Sequence, residues 1–234
     1  MKLTGITKGS LINGVSYDSA RNRLAILASP MNRNVTLYMY YSSKRIFNQL
    51  AMRKLHQFDS YWPNKVYLVG DKLYCLAPGE DIVRVYDAHT GSKVATYKIH
   101  YHHRDGEEIE ALALNRTGRY VAVLTNYSLL VLSLTTNRTV YRISCKVWKD
   151  PLVALSTNLH CAIVAHGNCC TVFNLDNKLS NVTFNTRQAF ISDVQLAPRG
   201  HYFSTSCGPV IDIWQLRPQL KMKPIIVHLF RAVK

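Results

Sequence analysis

The chain has 234 residues, 47% hydrophobic and 18% charged, the balance of a folded core rather than a disordered polymer, and one substantial all-β domain fills such a length without a second. Its formal charge of +15, from 29 Lys and Arg against 14 Asp and Glu, favours acidic partners or polyanions and says nothing about fold. No apolar run reaches transmembrane length, and MKLTGITKGSL at the N-terminus lacks the continuous apolar stretch of a secretory signal; an intracellular protein without a membrane span, cytoplasmic or nuclear, is expected.

In chain order, a first unit opens at Val15 and Tyr17, turns through Asp18 to Arg23, and runs extended over Leu24 to Leu27 and again over Val35 to Tyr40, with Val35, Leu37 and Met39 on one face. The segment Lys44 to Phe58 fits two periods. Phe47, Leu50, Ala51, Leu55 and Phe58 make a helical stripe, while Ile46, Asn48, Leu50 and Met52 make one face of a strand; an outer strand is the preferred reading. As a helix it would present Lys44, Arg45, Arg53 and Lys54 as a basic docking face.

A second unit starts at Val66, with Gly70-Asp71 as a tight hairpin turn, the stretch Asp81 to Gly91 (DIVRVYDAHTG) as strand and turn, and Lys93 to Ile99 as the closing strand. A third runs from Ile109 to a closing strand near Thr139 to Ile143, a fourth from Leu152 to Asp176, and a fifth from Ile191 to Leu216. Second-strand starts at Leu24, Leu73, Tyr120, Cys161 and Tyr202 are 49, 47, 41 and 41 residues apart. Third-strand anchors at Tyr38, Tyr86, Leu132, Phe173 and Trp214 follow at 48, 46, 41 and 41. Two markers in step define a repeat, and about 40 to 45 residues carrying four short strands is the period of a propeller blade.

The runs LALNRTGRYVAVL (Leu112 to Leu124) and LAPRGHYFSTS (Leu196 to Ser206), with the third-strand endings VYD (Val85 to Asp87) and DIW (Asp212 to Trp214), resemble the WD40-repeat β-propeller family. The resemblance implies an all-β, single-domain propeller of about five four-stranded blades, near residues 12–58, 62–103, 108–146, 151–186 and 189–230. Its motifs are degenerate: one unit ends in an aromatic-Asp pair, Trp214 is followed by Gln215, and no unit opens on the family's Gly-His dipeptide, Gly200-His201 falling inside a strand-turn-strand run instead. The family's Asp-His-Ser/Thr-Trp network is therefore not assumed, and apolar packing is expected to carry more of the stability. The ring is either a compact five-bladed one, closed by Lys2 to Ile6 or by Pro224 to Phe230, or a partial one completed by another chain or by further sequence.

No phosphate-cradling loop, HExxH, GxSxG or paired zinc-ligand motif occurs, so a non-enzymatic protein without a cofactor is expected. Six cysteines without CxxC spacing read as small core residues in a reducing compartment. Five Asn-X-Ser/Thr sequons, at Asn34, Asn115, Asn126, Asn137 and Asn181, read as turn asparagines beside strand threonines. His166 with Cys169 and Cys170 is a poor metal set, because adjacent strand residues face opposite ways.

Binding is expected in loops held on rigid blades: at Arg33, over His100 to Glu110, and at the turns near Asn126, His166 and Cys207 to Pro209. Within the second of these, His100, His102, His103, Asp105, Glu107 and Glu108 form the concentrated acidic and histidine-bearing loop, a polar surface for a protein partner rather than a metal site. The two ends are the basic parts. Before Asp59 the single acid is Asp18, against nine bases. Arg21, Arg23, Arg33, Lys44, Arg45, Arg53 and Lys54, with Tyr38, Tyr40 and Tyr41 nearby, make a candidate phosphate-binding surface. A protein-docking scaffold subunit is the leading expectation, and a nucleic-acid-associated subunit of a ribonucleoprotein or chromatin complex the alternative.

Overall fold

The repeated pattern of a polar turn between two apolar runs dictates hairpins, and hairpins in series make meanders. A computed structural model describes residues 6, 9–18, 20–29, 34–41, 51–58, 63–77, 80–101, 106–147, 150–176, 181–197, 200–208, 210–216 and 227–231. Among them are twenty strands and no helix, hence none long and apolar enough to cross a membrane. The strands form five four-stranded antiparallel sheets, each a meander of consecutive strands. These are the blades of a β-propeller.

Blade 1 comprises β1 (Leu11–Asp18), β2 (Arg23–Ser29), β3 (Thr36–Tyr41) and β4 (Ala51–Gln57). Blade 2 comprises β5 (Lys65–Val69), β6 (Lys72–Leu76), β7 (Ile82–Asp87) and β8 (Lys93–Lys98). Blade 3 follows with β9 (Ile109–Leu114), β10 (Tyr120–Thr125), β11 (Ser128–Ser133) and β12 (Arg138–Ser144). Blade 4 holds β13 (Leu152–Leu155), β14 (Cys161–His166), β15 (Cys169–Asn174) and β16 (Asn181–Asn185). Blade 5 holds β17 (Asp193–Leu196), β18 (Tyr202–Cys207), β19 (Val210–Gln215) and β20 (Val227–Arg231).

The second-strand markers read from the sequence fall within one residue of the observed starts in every blade. Of the ambiguous segment, Ala51–Gln57 is an outer strand, and the rest of it before Ala51 lies outside the described residues, as do Lys2 to Gly5. The outer strand of blade 5 is β20, paired with β19 from Val210↔Arg231 to Ile213↔Val227, so this blade is completed by the C-terminal apolar run. One anchor moves. Tyr86, Leu132, Phe173 and Trp214 sit opposite the second residue of the preceding strand in blade 2 and opposite Val121, Ala162 and Phe203 in blades 3 to 5. Leu24, the second residue of β2, is opposite Tyr40 rather than Tyr38, so Tyr40 is the anchor of blade 1. Two tyrosines two residues apart share one face, and periodicity does not separate them.

The chain falls into two compact units, Met1–His100 with blades 1 and 2 and Tyr101–Lys234 with blades 3 to 5. Within each unit the first strands of successive blades run side by side, β1 with β5, and β9 with β13 and β13 with β17. Fourth strands β8, β12 and β16 alternate between exposed and half-buried positions. They are outer edges, and Lys93, Lys98, Arg138 and Arg142 on them discourage pairing with another chain.

The cores lie between blades. Leu27, Leu37 and Met39 of blade 1 pack with Val66, Leu73, Cys75 and Tyr86 of blade 2. Ala122, Leu124 and Val131 of blade 3 pack with Val153, Val164 and Phe173 of blade 4, and Ile163 and Val172 with Phe203 and Trp214 of blade 5. An anchor meets the outer strand of the blade before it: the Tyr86 ring lies 4.7 Å from that of His56, with Phe58 just past the strand at 5.5 Å, and the Trp214 ring lies 4.7 Å from that of Phe184. The Trp214 indole also donates to Thr205 Oγ1 at 3.0 Å, a polar contact between the third and second strands of blade 5.

Candidate interaction surfaces

The basic candidates begin at the β1–β2 turn, where Asp18 Oδ1 accepts from the Ala20 and Arg21 N–H groups at 3.1 and 3.3 Å. Its Oδ2 accepts from Arg23 Nη2 at 3.1 Å and Arg21 Nη1 at 3.4 Å. Arg23 then crosses to blade 2, donating to Asp71 Oδ1 at 2.9 Å and to the Gly70 carbonyl at 2.5 Å. Its side chain is 4% exposed. Arg23 is thus a clamp between two blades, and its assignment to a phosphate-binding surface is corrected: a fork with several donors satisfies two turns and two carboxylates at once, which removes it from solvent. Partial burial alone would raise the Asp18 pKa, but hydrogen bonds from Arg23, Arg21 and the turn amides outweigh it and hold the carboxyl below its ordinary value. For Asp71, the Arg23 hydrogen bond leads the lowering.

The neighbouring Asp87–Gly91 turn completes this joint. Asp87 Oδ1 accepts from Thr90 N–H at 2.7 Å, His89 N–H at 2.9 Å and Thr90 Oγ1 at 3.0 Å, which lowers its pKa, the Thr90 amide most of all. Blade 1 reaches the same turn through Tyr41, whose hydroxyl donates to the Ala88 carbonyl at 2.9 Å, and Arg53, whose Nη1 donates to the His89 carbonyl at 2.6 Å. Gly91 has φ +75°, and a Cβ there would run into the Leu55 carbonyl. Of the remaining basic candidates, Arg21, Arg53 and Lys54 are exposed, and Lys54 Nζ donates to Gln57 Oε1 at 2.7 Å. Arg33, Lys44 and Arg45 lie outside the described residues.

In the acidic loop, His100 and Glu108 are exposed and Glu107 is buried, while His102, His103 and Asp105 lie outside the described residues. Glu107 Oε1 accepts from Thr125 Oγ1 at 2.7 Å and Ser128 Oγ at 3.1 Å, and its Oε2 stands 3.8 Å from Arg142 Nη2. It ties the loop to the β10–β11 turn, so its reading as a surface residue for a partner is corrected. Loop acids face water unless donors converge on them, and here two hydroxyls at the strand ends flanking a two-residue turn do. Asn126 fixes the same loop, donating to the Gly106 carbonyl at 2.8 Å and accepting from Glu108 N–H at 3.2 Å.

Two sequon asparagines therefore have structural work. Besides Asn126, the fully buried Asn115 accepts at Oδ1 from Thr117 Oγ1 and from the Arg119 and Tyr120 amides, and donates from Nδ2 to the Thr157 carbonyl of the next blade at 3.3 Å. The cysteines are free thiols. Burial pushes the Cys170 thiol up to about 12 and the Cys161 thiol to about 11. Cys169 and Cys170 differ in exposure, as opposite faces of a strand require. Among the described residues no three His, Cys, Asp or Glu side chains gather as a metal site needs.

The surface that sequence reasoning missed is β1. Leu11, Ile12, Val15 and Tyr17 are 66%, 48%, 55% and 45% exposed. The side of β1 toward blade 2 is closed: Ser16 Oγ accepts from the Leu68 amide at 2.9 Å, and a Cβ at Gly14 would lie 3.0 Å from the Asn64 carbonyl. Its apolar residues resemble those of the other copies, and no linear signal marks them as uncovered.

Compared with known proteins, the chain matches no protein-family model and no curated protein.

Proposed function

We propose that this chain is a non-enzymatic, WD40-like interaction module, a protein-docking subunit of a larger intracellular assembly. The WD40 likeness draws support from the strand-turn-strand runs and from the Trp214 to Thr205 hydrogen bond between third and second strands. The observation that carries the docking role is the gathering of three exposed large apolar side chains, Ile12, Val15 and Tyr17, on one face of the single strand β1, since apolar surface gathered in one place, rather than scattered, marks interaction sites. The intracellular setting accords with six free thiols, three of them buried.

The test is purification of the chain from its source at a salt concentration of about 0.15 M with nuclease present. Recovery with another protein in fixed stoichiometry is expected. Recovery alone, or with partners that vanish on nuclease treatment, would contradict the reading and turn attention to nucleic acid through the basic ends.

A further inference from the structure

The outer strand of each blade ends a sheet, and its outward N–H and C=O groups are open to another strand unless charge or proline on the strand opposes one. Four of the five outer strands carry basic residues: β4 has Arg53 and Lys54, β8 Lys93 and Lys98, β12 Arg138 and Arg142, and β20 His228 and Arg231. The fifth, β16, reads Asn-Val-Thr-Phe-Asn from Asn181 to Asn185, with no charged residue and no proline. Among the described strands it pairs with β15 alone.

Register decides which backbone groups of β16 are open. Asn181, Thr183 and Asn185 stand opposite Phe173, Thr171 and Cys169 of β15. One position further on, the Thr186 amide donates to the Asn168 carbonyl at 2.7 Å, so Thr186 and Asn168 form a hydrogen-bonded pair. Alternation then assigns Phe184 and Val182 to the ladder with β15 and turns the N–H and C=O of Asn181, Thr183 and Asn185 outward. The side chains of those three residues are exposed, while Val182 and Phe184 are half-buried, Phe184 against Trp214.

This edge is complementary to itself. When two copies of β16 lie antiparallel about a twofold axis at Thr183, Thr183 faces Thr183 and Asn181 faces Asn185, and the outward groups of all three meet as hydrogen-bonded pairs. Val182 then faces Phe184 in the closer, non-hydrogen-bonded position. Thr–Thr and aromatic–β-branched pairs are favourable across strands, and Thr183 already makes one such contact within the blade, its hydroxyl 3.0 Å from that of Thr171. The same pairing on β4, β8 or β12 would bring the cations of both copies to one seam.

We propose that two copies of this chain join edge to edge through β16, antiparallel about a twofold axis at Thr183, so that their fourth blades become one continuous sheet. The inference does not rest on the docking role of β1. The net charge of +15 on each copy opposes their approach and is screened by salt, so the dimer should tighten as salt rises.

Sedimentation equilibrium of the whole chain is the test. The parent is expected to pass from one chain toward two as its concentration rises to about 100 µM. Thr183→Lys sets like charges opposite each other at the axis and should weaken the dimer at least about tenfold, with an unchanged thermal melt because the side chain is exposed. Thr183→Glu should do the same. Mixed in equal amounts, the two variants should recover a dimer, since Lys then faces Glu. Thr96→Lys, at an exposed position of β8, should dimerise as the parent does.

A parent that remains a single chain throughout would overturn the proposal. So would a dimer that T183K leaves intact, one that T96K weakens equally, or one that loosens as salt rises. A mixture of T183K and T183E no more associated than either alone would also overturn it, because the copies would then not meet at Thr183. If the parent is a single chain by itself, and another protein from its source binds it but not T183K, the occupant of this edge is that protein and not a second copy.

Discussion

β1 and β9 are the same element in two copies of one repeat: each is the first strand of its blade, antiparallel to the second, with a register shift along its length. Ala111, Leu112, Ala113 and Leu114 of β9 are buried, whereas Ile12, Val15 and Tyr17 of β1 are exposed. Local sequence makes both into strands, and the neighbour, not the strand, decides burial. A repeat gives every copy the same backbone, so function is carried where the copies differ in what covers them.

The contrast can be broken by substitution. Leu112→Ala removes a fully buried side chain and is expected to cost about 2–5 kcal/mol. Val15→Ser on β1 should stay within about 0.5 kcal/mol; equal losses in chemical denaturation would erase the distinction between the strands. Gly91→Ala must both strain a left-handed φ and displace the Leu55 carbonyl. A loss of about 2–4 kcal/mol is expected, and a neutral result in the same assay would mean that β4 does not press on this turn.

Arg23→Ala tests the polar joint. It leaves Asp18, with a side chain 13% exposed, without its main partner, but Asp71 is 55% exposed and can be hydrated. The expected loss is accordingly about 2–3 kcal/mol, below that of a wholly buried pair. Acid should act on the same joint: Asp18, Asp71 and Asp87 all have lowered pKa values. Their stabilisation is complete above the unfolded carboxyl value near 3.8 and is lost as pH falls through the lower folded values. Blades 1 and 2 should therefore keep their near-ultraviolet dichroism down to about pH 4 and lose it below. Asp18→Asn should flatten part of that fall, and loss already at pH 6 would contradict the assigned contacts.

The architecture was legible because a hairpin repeat writes itself twice, in strand starts and in anchors, and both markers depend on local chemistry. Leu24, Leu73, Tyr120, Cys161 and Tyr202 mark the second strands to within a residue. The Asp81 to Gly91 stretch was readable as strand and turn for the same reason, with Asp87 and Gly91 in the roles their chemistry favours. What the sequence hid was long-range. Arg23 finds Asp71 forty-eight residues away, and Glu107 finds Thr125 and Ser128 across a blade. In both cases a charge that reads as surface is drawn inward by partners distant in sequence. The β1 surface was hidden for the opposite reason, since an apolar strand reads as core wherever it lies.

Hydrogen–deuterium exchange of the whole chain, with and without the protein recovered with it from its source, tests most directly whether the exposed first strand is the docking surface. Added protection should fall on residues 11–18, while β9 to β11, buried already, should not change. Protection appearing at residues 100–110 instead, or unchanged exchange along β1 at saturating partner, would contradict the account.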